Sequence, residues 1–266
     1  MNNKNIQFNF KGKIVLVTAS SQGIGFGIAK SFHEAGASVC ICSRDKKQVE
    51  NAVKIIGTER ILGLVGDIGK VEFLTTLVTR TKKHFGSSID ILVNNNGGPA
   101  FQNIADISLE KWNETLQANL LSTISLSTLV LPGMREKKRG RIINMTSTVA
   151  KEPEKGMALS SVTRSGVVAF TKTLSREEGP QGITANVILT GSCLTDRLKK
   201  LIKEKAHNSS ETIDEALKRI TKDIPVQFIP NPAEFSKPIL FLASEEAGFI
   251  NGIALPLDGG SSKSIF

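Results

Sequence analysis

Short runs of aliphatic residues alternate along the chain with longer segments in which apolar positions recur every three or four residues. Residues 14–17 (Ile-Val-Leu-Val) are the first such run, and an unbroken apolar tetrad predicts a strand buried on both faces. The segment after it places Ile24, Ile28 and Phe32 four residues apart with Ala29 and Ala35 alongside, an amphipathic helix that Gly36 stops. The same reading predicts strands at 38–42, 61–65, 89–93, 141–145, 183–188 and 253–257. Helices are expected over 45–56, 71–85 and 159–177, and Ser108 is placed to cap a long helix running towards Leu131. Pro132 is expected to disturb that helix, and Trp112 reads as one of its packing residues. Strands joined mostly by helices predict an α/β fold: a doubly wound, mostly parallel seven-stranded sheet covered on both faces, of Rossmann type.

The alternation breaks at 192–226, a polar, basic, helical insertion in which Thr212 and Glu215 offer a capping box. Asn231-Pro232-Ala233-Glu234 then opens another helix. The chain has 266 residues, 40% of them hydrophobic, which suits one domain spanning 1–266 and excludes a disordered chain. It holds no apolar run of membrane-spanning length, and its polar start lacks the apolar block of a signal peptide, so a cytoplasmic location is expected. Cys40, Cys42 and Cys193 are too few for a disulfide framework and read as packing residues. His33, His84 and His207 are isolated, and no ligand cluster implies a metal. The 34 basic and 25 acidic residues leave a net charge of +9, concentrated at 135–141 and 197–205. Without aromatic residues interleaved to stack on bases, these runs read first as solvated helix faces and second as attraction for an anionic cofactor or substrate; nucleic acid is not an expected partner.

The first strand runs directly into Thr18-Ala19-Ser20-Ser21-Gln22-Gly23-Ile24-Gly25 and then a helix. Glycines between a strand and a helix let the backbone approach a pyrophosphate, and the helix start offers free N–H groups. Thr18, Ser20, Ser21, Gln22, Gly23, Ile24 and Gly25 are therefore candidate cofactor residues, the alternative being a tight turn without a ligand. About 20 residues on, an acidic residue would take the free ribose hydroxyl of NAD. Here Cys42, Ser43 and Arg44 stand in that place, and an arginine suits a 2′-phosphate, so NADP(H) is favoured over NAD(H), with a solvated Arg44 as the other reading.

Taken together, these motifs resemble the short-chain dehydrogenase/reductase superfamily over nearly the whole chain, from Lys13 to Gly260. Ala19 replaces the first glycine of the family turn. Asp67, with Ile68 beside it, matches the family Asp at the adenine ring, and Asn94-Asn95-Asn96-Gly97 is similar to the Asn-Asn-Ala-Gly motif of the central sheet. The resemblance makes Asn95 and Gly97 cofactor residues, Asn119 the helix-kinking active-site Asn, and Ser147 the catalytic serine. Gly191 and Thr195 stand in the segment whose threonine binds the nicotinamide amide, and Asp258-Gly259-Gly260 resembles the C-terminal signature. It also implies the strand order 3-2-1-4-5-6-7, a substrate lid at 192–226, and a homodimer or homotetramer built through the helix after strand five and the last strand.

The family's Tyr-x-x-x-Lys pair is absent. Its register holds Ser160 and Arg164, and the chain contains no tyrosine at all. Arg164 keeps a cation and five donors for ribose hydroxyls but cannot act as an acid, because its pKa exceeds ~12. Ser160 can hydrogen-bond a carbonyl, yet an alkyl hydroxyl is a far weaker acid than a phenol. Lys151, four residues after Ser147, is the candidate proton donor, against the alternative of a solvated loop lysine. The family likeness points to a reductase of the 3-oxoacyl-carrier-protein type acting on a small-molecule substrate, and Arg197, Lys199, Lys200 and Lys203 would favour an anionic one. Two other readings stay open: a reductase of a conjugated double bond, and a protein that binds NADP(H) without turnover.

Overall fold

The computed structural model describes residues 7–209 and 211–265. Seven strands, β1 (Ile14–Val17), β2 (Ser38–Ser43), β3 (Ile61–Val65), β4 (Ile91–Asn94), β5 (Gly140–Ser147), β6 (Ile183–Thr190) and β7 (Ala254–Leu257), form one sheet. The order is β3-β2-β1-β4-β5-β6-β7, and every pairing is parallel. Alternate residues of β1 explain its unbroken apolar run. Val15 and Val17 enter one core with Ile28, Phe32, Phe235 and Ile239, while Ile14 and Leu16 enter the opposite core with Leu74, Leu77, Leu126 and Met134. The helices that cover the first core are α1 (Gly23–Glu34) and α9 (Pro232–Ala243); the second is covered by α3 (Val71–Phe85) and α5 (Ser122–Glu136). Helix α2 (Lys46–Ile56) flanks β2 and β3, and α6 (Ala158–Glu178) follows β5. All three cysteines are free and buried.

Several boundaries differ from the sequence reading. β5 and β6 pair over eight residues, as far as Ser147 with Thr190, so Ser147 ends the strand instead of following it. The expected long helix from Ser108 is interrupted: α4 (Leu109–Leu116) passes through a π turn, Gln117–Leu121, before α5 begins. Pro132 lies within α5, which continues to Glu136; burial of Val130, Leu131 and Met134 outweighs the loss of one backbone hydrogen bond. The basic run at 135–141 is a solvated face only in part: Arg135 and Lys138 are exposed, but other cations of the run are half-buried or buried. Arg135 pairs with Glu178, Lys137 with Asp90 at 2.8 Å, and Arg139 with Glu245 at 2.7 Å, while Arg141 is buried and donates to the Ser244 carbonyl. His33 bonds the Glu59 carbonyl, His84 packs edge-on against Phe85, and the side chain of His207 lies outside the described set.

The insertion folds into α7 (Asp196–Asn208) and α8 (Ile213–Thr221), which share a small apolar core of Ile202, Ala206 and Ala216 with Leu194, Leu198, Leu217 and Ile220. The capping boxes at Thr212 and Asn231 are both formed. Among the described residues, no helix is long and apolar enough to cross a membrane.

Candidate active site

A cleft of about 500 Å³ opens at the carboxyl ends of the central strands. Ser21, Gln22, Gly23, Ile24 and Gly25 line it from the first turn, Ser43 and Arg44 from the end of β2, Asp67 and Ile68 from the loop after β3, and Asn95 and Gly97 from the loop after β4. Thr195 closes it from the start of the insertion. Gly25 is required by close approach: a Cβ there would lie 2.6 Å from both the Ala19 carbonyl and the Asn95 amide nitrogen. Ala19 adopts a left-handed backbone at φ 44°, which costs a residue with a β-carbon about 1–2 kcal/mol. The Asn95 Nδ2 group holds that turn by donating to the carbonyls of Thr18 and Ala19 at 3.2 and 3.0 Å.

Thr18 and Ser20 stand behind the turn instead of lining the cleft. The Thr18 hydroxyl donates to the Asn95 carbonyl and accepts from its N–H, and the Ser20 hydroxyl donates to the Val17 carbonyl and accepts from the Cys42 N–H. Both are buried, so their hydroxyls brace the loop. Gly191 also lies off the cleft: its N–H donates to Leu257, and a Cβ there would meet Asp258 at 2.7 Å. The start of α1 has no side-chain cap and no acidic residue in its first turn, so its amides remain available to an anion. That donor set, with the glycine approach above it, fits a dinucleotide pyrophosphate.

At one end of the cleft Arg44 is exposed and unpaired among the described residues. The neighbouring carboxylate is committed elsewhere: Asp45 caps α2 by accepting from the Gln48 N–H at 3.0 Å. Asp67 accepts from the Gly69 N–H, which shapes the loop on the same side.

The other end carries the residues expected to do chemistry. Asn119 lies in the π turn, lines the cleft and is only 5% exposed. Ser147 is half-buried at the end of β5, and Thr148–Ala150 form a 3-10 turn that leads into Lys151. Lys151 is also half-buried, with no side-chain partner among the described residues. Arg164 is 7% exposed and has no carboxylate partner among the described residues; its Nε donates to the Ser160 hydroxyl at 3.1 Å and its Nη1 to the Met145 carbonyl at 3.3 Å. Burial pulls its pKa down to about 10, so it stays cationic at neutral pH. Its Nη2 makes no bond among the described residues and faces Gly98 on the cleft wall. Thus Arg164 and Ser160 are joined directly, and Arg164 meets the cleft at Gly98. Ser147 and Lys151 lie on the adjoining strand end and loop, outside the cleft lining.

Cys42, Gly66, Asn96, Gly98, Ala118 and Asp196 also line the cleft and were not among the candidates. Each flanks a candidate by one residue, because a loop that brings one residue to the cleft also brings its neighbour. Asn96 did carry a signal, since the resemblance expects alanine there. On the lid, Lys199 pairs with Asp196 at 3.4 Å and Lys203 is exposed; the side chain of Arg197 lies outside the described set, and Lys200 is partnered.

The family model described as short chain dehydrogenase matches residues 13–206. The 3-oxoacyl-(acyl-carrier-protein) reductase FabG of Haemophilus influenzae is 34% identical over 250 residues, covering 94% of this chain and 98% of the relative. The L-sorbose reductase of Gluconobacter frateurii, solved with NADPH and L-sorbose, superposes with a TM-score of 0.92 at 28% identity, covering 98% of this chain and all of that one. The actinorhodin polyketide ketoreductase, solved with NADPH, gives 0.86 at 29% identity, covering 95% and 98%.

Proposed function

Because the chain belongs to the short-chain dehydrogenase family, we propose that it is an NADPH-dependent reductase of a carbonyl compound that works without a tyrosine. The observation that carries the reading is a pair of cations that have no carboxylate partner among the described residues: Arg44, in the cleft lining after β2, and Arg164, whose Nη2 group lies behind Gly98 of the same lining. Arg44 suits a 2′-phosphate, the more so because Asp45 is tied to its helix and does not compete for the guanidinium. Two solved neighbours contain NADPH, and the curated relative reduces a 3-oxoacyl group, which supports a ketone as the acceptor.

When bound, the cofactor supplies a hydride. The chain's own residues then have three tasks. Ser147 donates its hydroxyl hydrogen bond to the carbonyl oxygen, where negative charge develops. Ser160 is buried and accepts from Arg164 Nε at 3.1 Å, so its task is to position the guanidinium. Arg164 holds ribose hydroxyls through Nη2 and lends positive charge to the site. The net proton comes from Lys151, or from a water that its ammonium holds, since neither serine is acidic enough to release one.

A panel of 3-oxoacyl thioesters and ketoses, followed by NADPH absorbance, tests the reading. Turnover with at least one of them, reduced at least tenfold in Ser147→Ala, is the expected result. Tight NADPH binding with no turnover on any would assign the chain to cofactor binding instead.

A further inference from the structure

We infer that Asn96 and Asn119 together hold one hydroxyl of the ribose on the nicotinamide side of the cofactor. The inference rests on the reading above that this cleft takes NADPH. It begins with the π turn at Gln117–Leu121, where the backbone hydrogen-bond ladder slips and leaves carbonyl groups in need of donors. The Ala118 carbonyl accepts from the Ser122 hydroxyl at 2.6 Å, and the Asn119 carbonyl from the Thr123 hydroxyl at 3.3 Å. The Asn96 Nδ2 group reaches both carbonyls from the β4 loop, at 3.4 and 3.3 Å. That fixes the orientation of the Asn96 amide and turns its Oδ1 away from the helix.

The cost of this arrangement is visible. Among the described residues, Asn96 Oδ1 is buried without a partner, and so is Asn119 Nδ2. Orphaned polar atoms of this kind cost free energy that a ligand recovers by satisfying them. One is an acceptor and the other a donor, and both belong to residues that line the cleft. A group that both donates and accepts, such as an alcohol, fits the couple. Position decides which alcohol. The 2′-phosphate end lies at Arg44 and the pyrophosphate at Gly23–Gly25, so Asn96 and Asn119 meet the far half of the dinucleotide, beside Gly98 and the Arg164 guanidinium.

Calorimetric titration of wild type, Asn96→Ala and Asn119→Asp with NADPH and with adenosine 2′,5′-bisphosphate tests this directly. The second ligand has the 2′-phosphate end but no nicotinamide ribose. Both variants are expected to weaken NADPH roughly 3- to 10-fold, one ordinary hydrogen bond's worth, while binding the bisphosphate within twofold of wild type. The isosteric Asn119→Asp decides the matter if removal of the Asn96 amide prevents folding. Unchanged NADPH affinity overturns the inference and leaves the orphans to water; equal weakening of both ligands overturns it as a general disturbance of the loop. A wild-type protein that binds neither ligand sinks the cofactor reading, and this one with it.

Discussion

At the scale of single residues, two side chains carry separable tasks. Arg44 is charged, exposed and unpaired among the described residues, and the adjacent Asp45 is spent on a helix cap. Replacing it with alanine is expected to raise the Kd for NADPH roughly 10- to 100-fold and to leave the weaker affinity for NADH unchanged, as fluorescence titration would read. Equal losses for both dinucleotides would instead make Arg44 a general phosphate contact. Lys151→Met is expected to lower kcat at least tenfold while leaving the NADPH Kd within twofold, because the side chain acts on the proton and not on the cofactor. Unaltered turnover removes Lys151 from the mechanism. The place of Arg44 in the cleft was legible in the sequence because the residue that follows β2 in such a fold has few chemical meanings. Asn96 was legible only as a departure from the alanine the resemblance expects, because its value depends on a π turn that periodicity does not announce.

The elements were easier to read than their ends. β1, β3 and α3 fall where the apolar pattern put them, the strands as short aliphatic runs and the helix by its three- and four-residue apolar spacing. Strand ends slipped for a physical reason: β5 extends to Ser147 because β6 continues to pair with it, a tertiary fact that periodicity does not contain. Pro132 misled in the same way, its local cost being outweighed by the buried face of α5. Caps, by contrast, are local chemistry, and the Asn231 side chain accepts from the N–H groups of Ala233 and Glu234 as its sequence implied. Asn231→Ala should therefore cost about 1 kcal/mol of stability, read as a lower urea midpoint with unchanged slope. The glycine turn is equally local: Gly25→Ala forces a methyl group against backbone carbonyl and amide atoms, and should abolish NADPH binding before it unfolds the protein. Retained affinity in that variant would mean the turn is not where the pyrophosphate rests.

Across the whole molecule, the basic excess is handled unevenly. The run at 135–141, expected to be solvated, is drawn into ion pairs along the amino-terminal edge of the sheet. The hydrogen bond from Arg135 to the buried Glu178 holds that carboxylate below its usual range. A depressed carboxyl contributes stability that is present above the ordinary glutamate pKa and lost as pH falls through the lowered one. The melting temperature should consequently drop on acidification below about pH 4, and Glu178→Gln should be less stable at pH 7 with a shallower acid decline. Exposed Leu121 and Val162, on the adjacent π turn and α6, support the proposal that two copies associate through this face; Val162→Glu is expected to shift the protein towards monomer in sedimentation. The account as a whole depends on the cleft being a dinucleotide site selective for the 2′-phosphate. Isothermal titration of the wild-type protein with NADPH and NADH measures that directly: one NADPH per chain, bound at least tenfold more tightly than NADH, is the result it requires. No heat with either dinucleotide, or a preference for NADH, would contradict it.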